Sequence, residues 1–208
     1  MAPTGKTARG MATRHRIVEA AARLFVADGY LSTTITAIAR EAGTGVQTVY
    51  LAFGSKVAIL KTAIDVAVAG DYEDVPASRR PEADDARAAP DASSLLDICL
   101  EVSLADTERA GPMYQVCQAA AADPEVAELL ADIGQQRRSS WQEAAEWLSG
   151  RAGFRADLTV ERARDILYAL VSPDMWRALV SECGWSSQQW RDFTRATARA
   201  HLLQTEAD

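Results

Sequence analysis

The stretch TITAIAREAGTGVQTVYLAFGSK, residues 34–56, constrains this chain more than any other. Thr34 is placed to cap a helix, its hydroxyl accepting a free amide of the first turn. Ile35, Ile38, Ala39 and Ala42 then recur on one side at helical spacing, with Arg40 and Glu41 outside. Gly43 stops that helix, because glycine takes the left-handed conformation at little steric cost. Gly45 opens a second, short helix in which Val49 and Phe53, one turn apart, point inward. Val46, Gln47, Thr48, Tyr50 and Leu51 are left outside. A packed helix, a glycine turn and a second helix with a polar and aromatic outer face form the pattern of a helix-turn-helix, whose second helix enters a DNA major groove.

The same periodicity organises the rest of the chain. A first helix is predicted over Thr13–Asp28, burying Ile17, Ala20, Ala21, Leu24 and Phe25, with residues 1–12 a mobile basic tail. Ser55 caps a fourth helix carrying Val57, Leu60, Ala63, Ile64, Ala67 and Val68, which ends near Gly70. Residues 71–91 hold three prolines, seven carboxylates and few apolar side chains, and predict a flexible, solvated loop. Helices resume over 92–109, briefly after Pro112, from Asp123-Pro124, and from near Thr159. A last helix starts at Ser186, where Ser186 and Gln189 have capping-box spacing. Strand-like alternation is absent, so the fold class is all-α. The domain reading is a helix-turn-helix domain over 13–56 and a larger helical domain over 57–208.

Charge is distributed unevenly. Residues 1–56 carry seven cations against three carboxylates, leaving +4, so with −7 overall the remainder carries −11. A basic end on an acidic body presents one surface to phosphates and repels them elsewhere. Chance segregation of surface charge gives the same numbers, and the motif is what favours the first reading. Catalytic and metal chemistry find no residues. Gly5-Lys6-Thr7 lacks the upstream glycine and strand of a phosphate loop. His15 and His201 stand at opposite ends, and no H-x-x-x-H, C-x-x-C or G-x-S-x-G occurs. Cys99, Cys117 and Cys183 are too dispersed for a disulfide framework and read as reduced thiols. No apolar run reaches the length of a membrane span, and residues 1–16 lack the apolar core of a secretory signal. The expectation is a cytoplasmic protein with no cofactor, no metal and no enzymatic activity. A helical enzyme is the weaker alternative.

Residues 16–60 resemble the DNA-binding domain of TetR-type (TetR/AcrR) transcriptional regulators. The residues that carry the likeness are Ala21, Leu24 and Phe25; Asp28-Gly29-Tyr30; Thr33-Thr34-Ile35; Ile38-Ala39 with Ala42-Gly43; and Thr48-Val49-Tyr50 with Phe53-Gly54-Ser55-Lys56. The chain departs from the family pattern at Thr44, Gly45 and Ala52, where an aliphatic residue, a serine and a histidine or tyrosine are common.

The resemblance implies a ligand-responsive repressor that binds a pseudo-palindromic operator as a homodimer and leaves it when a small-molecule effector binds. Regulation without an effector, or by a corepressor, is the alternative on the same scaffold. The implied DNA surface is Thr34, Thr36, Thr44, Gly45, Val46, Gln47, Thr48, Tyr50, Leu51 and Lys56. The hydroxyls of Thr34, Thr48 and Tyr50 and the Lys56 ammonium would hold phosphates. Gln47 would read an adenine edge, if it is not simply a solvated amide. The implied dimer interface lies on the last two helices, at Ile166, Leu170, Trp190, Phe193, Thr197 and Ala200, although apolar stripes of this kind also serve a monomer core. The implied effector pocket takes Tyr114, Cys117, Trp141 and Tyr168, with Ile64, Leu100 and Ile133 as apolar wall. Ordinary core packing is the competing reading for each. Arg137, one turn before Trp141, is a candidate for an anionic group on the effector.

Overall fold

The computed structural model describes residues 5–73 and 80–204. Over them the fold is all-α. In order come α1 (Gly5–Asp28), α2 (Ile35–Glu41), α3 (Val46–Phe53), α4 (Lys56–Ala69), α5 (Pro81–Ala88), α6 (Ala92–Ala119) and α7 (Pro124–Ser149). After these come α8 (Val160–Leu170), the single turn α9 (Pro173–Trp176) and α10 (Ser187–Leu202). A π-helical turn, Arg177–Glu182, continues directly from α9.

The helix ends follow side-chain chemistry. Thr34, Ser55 and Thr159 each accept a hydrogen bond from the amide three residues on, at 3.1–3.2 Å. Ser186 and Gln189 complete a reciprocal capping box at 3.2 and 2.8 Å. These contacts satisfy amides that a helix start otherwise leaves bare. Gly43, at φ 62°, and Gly70, at φ 78°, turn the chain out of α2 and α4.

Several sequence expectations need correction. Residues 5–12, assigned to a mobile tail, extend α1, which starts at Gly5 rather than Thr13; residues 1–4 lie outside the described residues. The expected loop over 71–91 contains α5, while 74–79 lie outside the described residues. Pro81 at the helix start, Glu82 and Asp84 in the first turn and Arg87 in the last all suit a helix dipole. Few apolar residues were needed, because Ala86 and Ala89 are buried and Arg87 lies over the Trp147 ring at 5.3 Å. The break expected at Pro112 is absent, since α6 runs through it. The missing amide costs one turn's hydrogen bond, which the flanking length of helix tolerates.

The chain divides into two compact units. The first comprises the described residues up to Tyr72 together with Pro112–Asp132; the second comprises Glu73–Gly111 and the residues from Ile133 onward. In the first unit α1 packs on α2 and α4, α2 on α3, and α3 on α4. Ile17, Ala21 and Phe25 of α1 are buried with Ile38, Val49, Ile59 and Leu60. The sequence reading placed α4 beyond the DNA-binding domain, but α4 is structurally part of the first unit.

The second unit has an apolar core of Leu95, Leu96, Leu100, Leu104, Trp141, Leu148, Leu167 and Trp190 among others. Three arginines one turn apart on α10 fasten it antiparallel to α6. Arg191 meets Glu108 at 2.6 Å, Arg195 meets Glu101, and Arg199 meets Asp97 at 2.7 Å. Trp190, expected at a dimer interface, is instead completely buried within one chain, one turn from equally buried Thr194. The Trp190 Nε1 and Thr194 Oγ1 atoms have no partner there, a cost of about 1–3 kcal/mol each that apolar burial offsets. The kink expected at Ser172-Pro173 is a full break, with Ser172 capping α9.

Asp106 on α6 gives this unit a pH dependence. Burial pushes its carboxyl up to about 6, against the partial opposition of Arg109, which it meets at 2.6 Å. A folded-state value above the ordinary 3.8 means that stability is greatest below that range and is lost as pH rises through about 6. Thermal melts of Asp106→Asn and the parent at pH 5 and pH 8 test this. The variant should gain about 1 kcal/mol relative to the parent between the two pH values, or some 2–4 °C.

Candidate nucleic-acid interface

The α3 helix has eight residues, and Val49 alone among them is fully buried. That single anchor turns the rest outward. Leu51 is 84% exposed and Tyr50 52%, and Val46, Gln47 and Thr48 are exposed beside them. An open leucine and valine flanking an amide suit a groove that displays thymine methyls and adenine edges. Gly45, the N-cap, makes no side-chain bond to the helix start. The first turn of α3 is therefore left without a side-chain cap, and Thr48 N–H bonds back to the Gly45 carbonyl at 3.0 Å, so the amides of Val46 and Gln47 are the ones free to meet an anion. Thr34 and Thr36 are exposed on α2 and Thr44 is half-buried in the turn. The hydroxyl that caps α2, on Thr34, uses its oxygen as acceptor and keeps its proton for a phosphate.

Lys56 is placed differently from the phosphate-gripping role expected of it. Its Nζ donates to the Tyr30 carbonyl at 2.8 Å and the Thr33 carbonyl at 3.0 Å, and lies 4.1 Å from the Tyr30 ring centre. Burial lowers its pKa, while Asp123 opposes that shift. The ammonium therefore holds the turn between α1 and α2 in place. Burial first, then Asp123 and Glu125, pushes the Tyr30 phenol up to about 12, keeping it neutral beneath the lysine.

Sequence reasoning missed Arg14. From α1, its guanidinium donates to the carbonyl of Ala52 in the last turn of α3 and stacks on Phe53, 4.1 Å from the ring centre. No local signal exists for a contact that spans 38 positions.

Residues 17–63 match the family described as bacterial regulatory proteins, tetR family. That match takes in α1 from Ile17, α2, α3 and the first part of α4. The chain's fold is similar to TetR-type structures over nearly its whole length. NalD of Pseudomonas aeruginosa, the secondary repressor of the MexAB-OprM multidrug efflux pump, superposes with TM-score 0.67 at 20% identity, covering 92% of this chain and 97% of NalD. The SmeT–triclosan complex gives 0.69 at 19% identity, covering 94% and 93%. A protein of Saccharomonospora viridis described as a transcriptional regulator, in complex with choline, gives 0.68 at 20%, covering 92% and 98%. No curated protein matches. Residues 17–63 thus carry the sequence signature of a bacterial regulatory protein's DNA-binding segment, and the solved structures share the fold. No helix among the described residues is long and apolar enough to cross a membrane.

The residues named for an effector fall in both units. Ile64, Tyr114 and Cys117 are buried in the first; Leu100, Ile133 and Trp141 are buried in the second, with Tyr168 half-buried. Burial raises the Cys117 thiol to about 12, so it stays protonated. Arg137 does not await an anion. It donates to the carbonyls of Tyr168 and Val171, at 3.1 and 2.8 Å, and lies over the Tyr168 ring, closing the C-terminus of α8. Of the interface residues, Ile166, Thr197 and Ala200 stay partly or fully open and Phe193 is 39% exposed; Leu170 is buried at the edge.

Two substitutions separate reading from scaffolding. Gln47→Ala should retain the parent fold but lose discrimination at one base position by about 1–3 kcal/mol, measured on an operator series with each base changed in turn. Lys56→Ala should instead act on stability. Loss of two charge-assisted bonds costs about 2 kcal/mol, or roughly 4–8 °C in a melt.

Proposed function

We propose that the chain is a ligand-responsive repressor that binds a pseudo-palindromic operator as a homodimer and is released by a small-molecule effector. The observation that carries the DNA half of this reading is the α3 surface, where one buried valine leaves Gln47, Thr48, Tyr50 and Leu51 open. A helix of two turns reads only a few base pairs, so a two-fold partner is needed to lengthen the site. Two such helices roughly 34–36 Å apart address successive major grooves.

The partner surface is the open side of α8 and α10. Ile166, Ala169 and Leu170 meet Thr197 and His201 around a groove of ≈ 480 Å³, with Arg155, Asp157 and Arg162 at its rim. Ala196 and Ala200 leave the neighbouring surface of α10 low enough for a second helix to approach closely. For the effector, the second unit offers Leu100, Ile133, Trp141 and Tyr168. These combine large apolar faces with the polar tips that orient a ligand. Similar folds have been solved with triclosan and with choline bound. A hundredfold preference of the effector for the DNA-incompetent form corresponds to about 2.7 kcal/mol, and DNA must weaken effector binding equally.

Selection from a random duplex pool tests the reading. It should recover an inverted repeat, and Ala200→Glu should sediment as a folded monomer that no longer enriches it. Compounds that raise the melting temperature of the free dimer should release the recovered duplex. Equal effector affinity for free and DNA-bound dimer would show that no coupling exists.

A further inference from the structure

We propose that Arg14, from α1, is a phosphate-contacting residue that supplies the recognition helix with the charge its own sequence lacks. The inference rests on the DNA-binding reading of α3 and extends it to a residue outside the helix-turn-helix. The α3 sequence, VQTVYLAF, contains no ionisable cation. Nearby cations are mostly committed elsewhere. Lys56 is held by two backbone carbonyls, Arg23 pairs with Glu41 at 3.1 Å, and Lys61 pairs with Asp65 at 2.7 Å. Arg16 bonds the Thr13 hydroxyl, while Arg9 and Arg40 lie exposed on α1 and α2. Arg14 is the cation docked on α3 itself, through the Ala52 carbonyl and the Phe53 ring.

Its position solves an electrostatic problem at the end of the helix. Eight residues at ~1.5 Å each make α3 about 12 Å long, close to the ~12 Å width of the major groove. Laid across the groove, such a helix would set its two ends toward opposite phosphate walls. At the first end, free amides and the Thr44 and Thr48 hydroxyls favour an anion. At the second end, unsatisfied carbonyls carry the negative pole of the dipole and would repel one. Arg14 caps that pole with a full positive charge. Ala52, with only a methyl group, leaves room for the guanidinium beside fully open Leu51. The stack on Phe53 and the bond to Ala52 hold the planar group in place, so little rotamer entropy is left to lose on binding. The guanidinium is exposed, and its other N–H groups have no partner among the described residues.

Salt-dependent binding decides the assignment, because a cation that merely caps α3 displaces no DNA counterions. Fluorescence anisotropy with a labelled 30-bp random-sequence duplex, between ~50 and ~200 mM KCl, gives the slope of log K against log salt. For Arg14→Gln the slope should shrink by about one unit per bound protomer, with binding at ~100 mM weakened roughly three- to tenfold. Arg14→Lys should keep the parent slope. The double variant Arg14→Gln/Ala52→Arg, which returns a cation to the same end of α3, should restore the slope. Circular dichroism melts of each variant separate folding from contact. An Arg14→Gln slope equal to the parent's, with or without a lower melting temperature, overturns the proposal and leaves Arg14 a helix cap. A parent protein that binds no duplex overturns the DNA-binding reading beneath it.

Discussion

Burial of Val49 fixes which side of α3 meets water. A helix of two turns has little stability of its own, since nucleation is costly and few hydrogen bonds repay it. The α3 helix exists because its one inward residue is fully buried where α3 packs on α2 and α4, whose Ile38 and Leu60 are fully buried too. The turn before it is held by Thr44 N bonding Ala39 O at 2.9 Å, and the residue after it, Gly54, takes φ 75° to release the chain into α4. Any rotation of α3 about its axis would pull Val49 from the core before it exposed Gln47 further. The reading surface therefore inherits its orientation from packing, and polar chemistry is free to vary on the other side.

The fold was legible wherever the cause was local. Caps at Thr34, Ser55, Thr159 and Ser186 and stops at Gly43 and Gly70 depend on residues at most a few positions apart, and sequence spacing carries that information. The outward set on α3 was equally legible, because one buried position on a short helix dictates the others. Failures came where the deciding partner was distant. The α5 helix has the composition of a solvated loop, and it is held by contacts to Trp147 and Arg151 some sixty residues later. Arg14 reads as one of several surface cations until α3 is folded against α1. Arg137 was weighed as an anion site because an arginine near aromatic residues suggests a pocket. Its actual task is to satisfy the carbonyls that α8 leaves bare at its break before Pro173.

Lys56 and Arg14 together show how charge is apportioned in the first unit. Both lie within reach of a DNA surface in sequence terms, and residue type alone would rank the lysine higher. Geometry reverses the order. The lysine is half-buried, its point charge divided between two carbonyls and a ring face, and withdrawing it would leave those carbonyls and Tyr30 to water. The arginine is exposed and uses one edge to anchor itself. A planar fork can bond to a carbonyl with one nitrogen and still present others, which an ammonium does less well once two of its protons are committed.

The α10 helix shows why an apolar stripe read from sequence mixed two surfaces. Trp190, Thr194, Ala198 and Leu202 recur every four residues and all face the core. Arg191, Arg195 and Arg199 form the adjacent row and are tied to α6. Phe193, Thr197 and Ala200 lie on the remaining side, where Phe193 meets Trp185 edge-on at 5.6 Å but stays more than a third exposed. At 3.6 residues per turn these rows slide past one another, so Trp190 and Phe193 look like neighbours in a linear pattern although they face different ways. The inward row is complete within one chain and gains nothing from a second copy. The outward row is small or apolar and lies beside Ile166 and Ala169 of α8. It loses water only if another surface covers it, and in the proposed dimer a two-fold copy would do so, the small residues on both helices letting the backbones close together.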